Sequence, residues 1–172
     1  MIRRATEKDI CAIRAIAGIA FPDTYRTILS RDQLDYMMEW MYSEESLARQ
    51  FSSGHIFLIE DSKGYVSYRR DSAQDDGVPV FHLEKLYILP EFQKQGLGKK
   101  LFDAVAEEIR KDTKTDFIIE LNVNISNPSI GFYRHLGMHV ARSGDFPIGN
   151  GYFMNDYIMA KVYLCGENSD GK

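Results

Sequence analysis

The sequence is poor in cysteine. Cys11 and Cys165 stand near opposite ends of a 172-residue chain, with no Cys-x-x-Cys between them. That excludes a disulfide-stapled scaffold and points to a reducing, cytoplasmic setting. Long apolar runs are also missing. About 20 consecutive apolar residues are needed to cross a bilayer, and the runs here stop after a few. The start, Met1-Ile-Arg-Arg-Ala-Thr-Glu, lacks the apolar core of a secretion signal. No membrane partner is expected. An excess of positive charge is absent too: 21 Lys and Arg face 25 Asp and Glu, a formal charge of −4. A protein that grips a phosphate backbone usually carries a basic face, so no nucleic-acid partner is expected. There is no internal repeat and no low-complexity tract. What remains is 44% hydrophobic and 27% charged, an ordinary globular balance. At roughly 150 residues per domain, the length suits one. We expect that domain over residues 1–163, with 164–172 as a polar, flexible tail.

The pattern of apolar residues predicts an α/β chain in the order β-α-α-α-β-β-β-α-β-α-β-β. Ile2 to Thr6 reads as a strand, and Thr6 with Asp9 as a helix start. Ile10, Ile13, Ile16 and Ala17 recur at helical spacing, and Pro22 predicts the end of that helix. Cys11 is read onto the same apolar face. Ser30 and Ser43 predict two further helix starts, with Leu34, Met37, Met38 and Met41 as a packing stripe. Two strands flank Asp61-Ser-Lys-Gly64, a hairpin signal. Gln74 to Pro79 reads as a loop, and Phe81 to Leu89 as a strand closed by Pro90. A long helix carries Leu97, Leu101, Phe102, Val105 and Ile109. Phe117 to Val123 is nearly all apolar, as for a strand covered on both faces. A short helix over 130–136, capped by Gly137, and two strands near 140–145 and 152–163 complete the chain.

Chemistry concentrates in Gln93-Lys-Gln-Gly-Leu-Gly-Lys-Lys100, between the fourth strand and the long helix. Glycines there let backbone approach a ligand closely. The first amides of the helix point outward with the helix dipole behind them, which favours a phosphate. A dinucleotide fingerprint wants glycine at 101, and a P-loop wants glycine at 93 and Ser or Thr at 100. Leu101, Gln93 and Lys100 fail both patterns.

The strand ending Leu86-Tyr-Ile-Leu-Pro90, then Gln93-x-x-Gly96-x-Gly98 and an amphipathic helix, resembles the acetyl-CoA loop of the GNAT N-acetyltransferase superfamily. Downstream, Asn127-Pro-Ser-Ile-Gly-Phe-Tyr-Arg-His-Leu-Gly-Met138 resembles the superfamily's Asn-x-x-x-x-x-Tyr-x-x-x-Gly-Phe element, with Met138 in place of the aromatic. The first 50 residues, including Phe21-x-x-Thr-Tyr25, are similar to the bacterial spermidine/spermine N-acetyltransferase branch. Gln93 departs from the common arginine, and Ser67 stands where many members carry glycine.

The resemblance implies a mixed sheet of about seven strands flanked by helices, splayed between strands four and five. It implies acetyl-CoA as cosubstrate, a small-molecule amine as acceptor, no metal, and a homodimer in some members. Gln93, Lys94, Gln95, Gly96, Leu97, Gly98 and Lys99 would hold the pyrophosphate. The strand edge Leu86, Tyr87 and Ile88 would pair with the pantetheine arm, and Asn127 would hydrogen-bond the cosubstrate. Acetyl transfer needs a neutral amine, a donor for the oxyanion and an acid for the leaving thiolate. The Ile88 amide is the candidate donor, and Tyr133 matches the thiolate-protonating tyrosine. His82 and Glu84 are two apart on one strand and so share a face. Either, or water alone, is the candidate base. Glu84 also stands as an acceptor ligand.

Residues 21–45 hold six acids and two arginines, an acidic roof that would concentrate polycations such as polyamines. Tyr25, Tyr36 and Trp40 offer cation–π faces to the same acceptor. Other acceptors remain open: a protein or peptide amine, an amino acid or an antibiotic amine. So does a non-catalytic acyl-CoA sensor. His135-x-x-x-His139 has zinc-helix spacing, but Gly137 falls between them and no acid ligand follows, so no metal is expected. Cys165 has nothing near it in sequence to activate it.

Overall fold

The computed structural model describes residues 1–71 and 77–166. Seven strands form one sheet: β1 (Ile2–Arg4), β2 (Ile56–Glu60), β3 (Gly64–Arg70), β4 (Val80–Ile88), β5 (Phe117–Asn124), β6 (His139–Gly149) and β7 (Tyr152–Tyr163). Among the described residues five α-helices accompany them: α1 (Ile10–Tyr25), α2 (Arg31–Tyr42), α3 (Glu44–Ser52), α4 (Leu97–Asp112) and α5 (Ile130–His135). The strand order across the sheet is β1-β2-β3-β4-β5-β7-β6. Among the described strands, β4 and β5 alone are parallel neighbours.

Local chemistry accounts for the boundaries. The Asp9 carboxylate accepts the Thr6 amide at 2.8 Å, closing the turn before α1. The Ser30 and Ser43 hydroxyls accept the amides of Gln33 and Ser46, each at 3.2 Å, and start α2 and α3. Gly137, at φ 91°, ends α5.

Each face of the sheet buries its own core. On one side α4 and α5 cover Leu58, Val66, Leu83, Ile119 and Leu121 with Leu101, Phe102, Val105 and Ile109. On the other, α1, α2 and α3 cover Phe57, Ile59 and Tyr65 with Ile13, Phe21, Tyr42 and Leu47.

Two features of β4 shape everything downstream. Opposite Ser67 and Tyr68 the register slips, so that Glu84 is the extra residue between Leu83 and Lys85. Towards β5, pairing runs only from Val80–Ile118 to Leu83–Leu121. Glu84–Ile88 and Asn122–Asn124 continue without pairing to each other. This is the splay between the fourth and fifth strands.

The structure corrects three sequence expectations. Pro22 lies inside α1, which runs on to Tyr25. Gly18, four residues earlier, has open space around it, and buried Phe21 and Tyr25 hold the last turn against the core. Tertiary packing thus outweighs one missing helical bond. Cys11 is exposed rather than core. It stands one residue, about 100° of helix, from buried Ile10. The sixth strand is longer than expected, because His139–Gly149 pairs along nearly the whole of β7. The expected loop at 74–79 falls partly, and the tail beyond 166 wholly, outside the described residues.

Candidate active site

The loop after β4 is shaped by its own side chains. The Gln93 amide donates to the Ile88 carbonyl at 3.0 Å, and the Gln95 amide to the Glu91 carbonyl at 2.8 Å. Lys94 and Gly96 take left-handed backbone, φ 59° and 81°. The first helical bond of α4 runs from the Lys100 amide to the Gly96 carbonyl. The preceding amides, Leu97, Gly98 and Lys99, therefore open the helix without helical partners. Lys99 adds charge but shares it with Asp103 at 2.5 Å. Gly98 is buried, and a Cβ there would stand 2.9 Å from the Phe132 ring and 3.3 Å from Ile88. Only glycine lets α4 begin so close to β4 and α5. The result is a backbone cradle for an anion at the open end of the splay.

Gly96 is where conformation alone decides. A Cβ at Gly96 meets open space, so strain at φ 81° is the only penalty. Gly96→Ala is expected to cost about 1–2 kcal/mol in urea unfolding and to weaken acetyl-CoA binding measured by calorimetry.

Tyrosines gather where the two cores meet at the splay. Tyr133 is buried on α5, edge-on to Phe132. Its phenol is pushed well above the ordinary value by burial and then by its neighbour Tyr25. The Tyr25 hydroxyl accepts the Asn127 amide at 3.1 Å. Asn127 also accepts the Ser129 amide at 2.8 Å, so its side chain holds both Tyr25 and its own turn. Tyr87 and Tyr42 pack edge-to-face at 6.1 Å, and burial raises both phenols.

The candidate bases are placed differently from each other. His82 is half-buried opposite Arg69 in the β3–β4 register. Glu84, at the bulge, accepts from Arg69 Nε at 2.6 Å and lies 3.9 Å from His55 Nε2. Burial lowers the His55 imidazole despite that carboxylate.

Tyr36 does not join Tyr25. Its hydroxyl donates to the Ile148 carbonyl at 3.0 Å, and its ring packs on Trp40 and Tyr152. It anchors α2 to the β6–β7 turn. Of the acids in 21–45, Asp23 and Glu44 sit near Arg26 and Arg14. Asp32, Asp35 and Glu39 are exposed on α2.

His135 ends α5 and His139 begins β6, on either side of the Gly137 turn. Among the described residues no group of three or more His, Cys, Asp or Glu is arranged to hold a metal. Nor is any described helix long and apolar enough to cross a membrane. A groove of about 660 Å³ between β1 and α4 lies on the α4 face. It is away from Tyr25 and the splay.

Sequence reasoning missed Lys85. It is buried on β4, its ammonium donating to Gln50 at 2.6 Å and lying 5.4 Å from the Tyr42 ring centre. Burial pushes it down to about 8, with Glu84 pulling the other way. An unfolded lysine titrates near 10.4, so between pH 8 and 10 the unfolded chain holds the extra proton and the contribution of Lys85 to stability rises with pH. Over that window it is expected to grow by about 2 kcal/mol. Urea unfolding of wild type and Lys85→Met from pH 7.5 to 10 reads it as the difference between them, since the buried tyrosines, with raised phenols, lose stability in both towards pH 10.

Residues 27–147 match the family described as the acetyltransferase (GNAT) domain. The chain belongs to that family: it is a GNAT-family N-acetyltransferase. A protein of Lactobacillus delbrueckii subsp. lactis, named an uncharacterized N-acetyltransferase in the pepI 3′ region, is 28% identical over 95% of this chain and 97% of its own. The fold is similar to that of the PaiA N-acetyltransferase of Thermoplasma acidophilum, solved in complex with coenzyme A. The TM-score is 0.74 and the identity 24%, over 95% of this chain and 98% of that one. It is also similar to Arabidopsis thaliana Naa50, solved with the bisubstrate analogue CoA-Ac-MVNAL. There the TM-score is 0.63 and the identity 15%, over 95% and 98% of the two chains.

Proposed function

We propose that this chain moves an acetyl group from acetyl-CoA to a primary amine by direct attack, with residues 1–163 as the catalytic unit. The observation that carries the reading is the splay. β4 leaves Glu84–Ile88 unpaired towards β5, and the glycine-shaped cradle opens at its end. An amide-bearing pantetheine arm fits the open edge at Leu86, Tyr87 and Ile88, and a pyrophosphate fits the amides of Gly96 to Lys99. Similar folds carrying coenzyme A or a CoA-containing analogue support this cosubstrate.

In this reading the amine attacks the thioester carbonyl beside the strand edge, and the Ile88 amide steadies the oxyanion. Tyr133 gives its proton to the thiolate as the C–S bond breaks. Glu84, hydrogen-bonded by Arg69, or His82 takes the amine's proton through water. Tyr25 shapes the acceptor side.

Among acceptors we favour a polyamine or another small cationic amine. The exposed Asp32, Asp35 and Glu39 of α2 support that choice by raising the local concentration of polycations. A peptide amine is the second reading, favoured by the likeness to Naa50 with its acetyl-peptide analogue. CoA thiol release over spermidine, spermine, amino acids, aminoglycosides and lysine peptides tests both. Release with polyamines is the expected result. Release with peptides alone overturns the polyamine assignment and keeps acetyl transfer. Saturable acetyl-CoA binding with no release from any amine favours the sensor.

A further inference from the structure

β7 is mostly an apolar strand, yet it carries a carboxylate inside the protein. Asp156 is 6% exposed. One of its oxygens, Oδ2, accepts the Asn122 amide at 3.3 Å, while Oδ1 is buried without a partner. Buried carboxylate oxygens are rarely left so, because desolvating the charge costs several kcal/mol unless it is met by a donor. Burial accordingly lifts the Asp156 carboxyl above its ordinary value.

The place of this oxygen is informative. Asp156 pairs with Asn124 of β5, beyond Leu121, the last β5 residue that pairs with β4. It therefore stands beside the splay. Met154, two residues earlier and on the same face, packs in the core of α1, α2 and α3. Asp156 thus faces the Tyr25 side of the sheet, opposite to the α4 side where the cradle lies. Its β6 neighbour in the register is Gly144, which offers the carboxylate no side-chain partner and is covered by the Phe146 ring. Three residues beyond Asn124, Asn127 holds the Tyr25 hydroxyl. Burial raises the Tyr25 phenol, and the Asp156 charge adds to it. A carboxylate oxygen, the Asn122 amide and the Tyr25 ring therefore converge on the acceptor side of the splay. Arg142, the cation nearest along β6, is already bound to Glu120 through two bonds of 3.2 Å.

We propose that Asp156 Oδ1 is the seat of the acceptor's ammonium, which makes Asp156 a specificity-determining residue for cationic primary amines. The inference rests on the acetyl-transfer reading above. A primary ammonium brings three N–H donors and a positive charge, which match an unpaired carboxylate oxygen. A hydroxyl acceptor would bring neither the charge nor the extra donors.

The test is Asp156→Asn, which keeps the shape and removes the charge. Initial rates are measured against the best amine of the panel, and acetyl-CoA affinity is measured without amine. The expected result is a KM for the amine raised about 10–100-fold, with kcat changed less and acetyl-CoA affinity retained. An unchanged KM overturns the proposal while leaving acetyl transfer standing, since the wild type still turns over. If the wild type transfers to no amine, or the variant does not fold, the wild-type Asp156 carboxyl is followed by carbon NMR. It is titrated with propylammonium and, separately, with propanol. A shift with propylammonium alone supports the seat. No shift, or equal shifts with both, overturns it.

Discussion

Tyr133→Phe is expected to lower kcat by about 10²–10³-fold and to leave the Kd for acetyl-CoA unchanged. The ring is buried on α5 and packs edge-on to Phe132 at 5.2 Å, so phenylalanine keeps the packing and removes only the hydroxyl. Burial lifts the phenol, so it stays protonated across the working range and is a resident proton donor. A pH–rate profile of the wild type should therefore show no basic limb from Tyr133 below pH 10. Rapid-quench rates with a saturating amine, beside calorimetric acetyl-CoA binding, separate chemistry from affinity. A variant with wild-type kcat would remove Tyr133 from the reaction. A variant with weakened acetyl-CoA binding would make it a packing residue of the splay.

Gly64→Ala is the stability counterpart. Gly64 begins β3 opposite Ile88, and a Cβ there would stand 2.7 Å from the Tyr87 carbonyl oxygen and 3.2 Å from the Ile88 Cα. Both are backbone atoms held in the sheet, so relief requires β3 and β4 to part. The expected loss is about 3 kcal/mol, or roughly 6–12 °C in Tm for a chain of this size. The displaced segment is the same β4 tip that offers Leu86 to Ile88 to the pantetheine arm, so acetyl-CoA affinity should fall as well. Gly18→Ala is the control. It lies in α1 with open space around it, and alanine there should gain about 0.5–1 kcal/mol. Equal behaviour of the two variants would mean that β3 and β4 are free to separate at this point.

Much of the framework was legible because it rests on local chemistry. Serine hydroxyls at 30 and 43 cap helices wherever a helix follows, and the α4 stripe is a matter of 3.6-residue spacing. The strand–loop–helix around Gln93 to Gly98 stood out because only glycine tolerates that backbone so close to Phe132. Pro22 misled because the penalty of a proline is local, whereas the burial of Phe21 and Tyr25 that offsets it comes from elements distant in sequence. Cys11 misled because one residue of helical phase separates core from solvent.

The site is a different matter. Tyr133 and Asn127 were visible through a motif, but the Asn127–Tyr25 bond spans 102 positions of sequence. Tyr36 and Tyr25 looked alike on paper. The fold gives one hydroxyl to Ile148 and the other to Asn127. Asp156 and Lys85 had no signature, since a lone charge in a strand normally marks its solvent face.

Taken by itself, the sequence determined the order of elements and the glycine cradle, and its motifs pointed to the class of chemistry through their likeness to a known family. The first two depend on interactions within a few residues, where spacing and backbone freedom suffice. The tertiary structure alone decided the bulge at Glu84, the pairing of that carboxylate with Arg69 and the burial of Asp156. These depend on which strands become neighbours, and burial sets the electrostatics of a charge only after distant segments have excluded water from it.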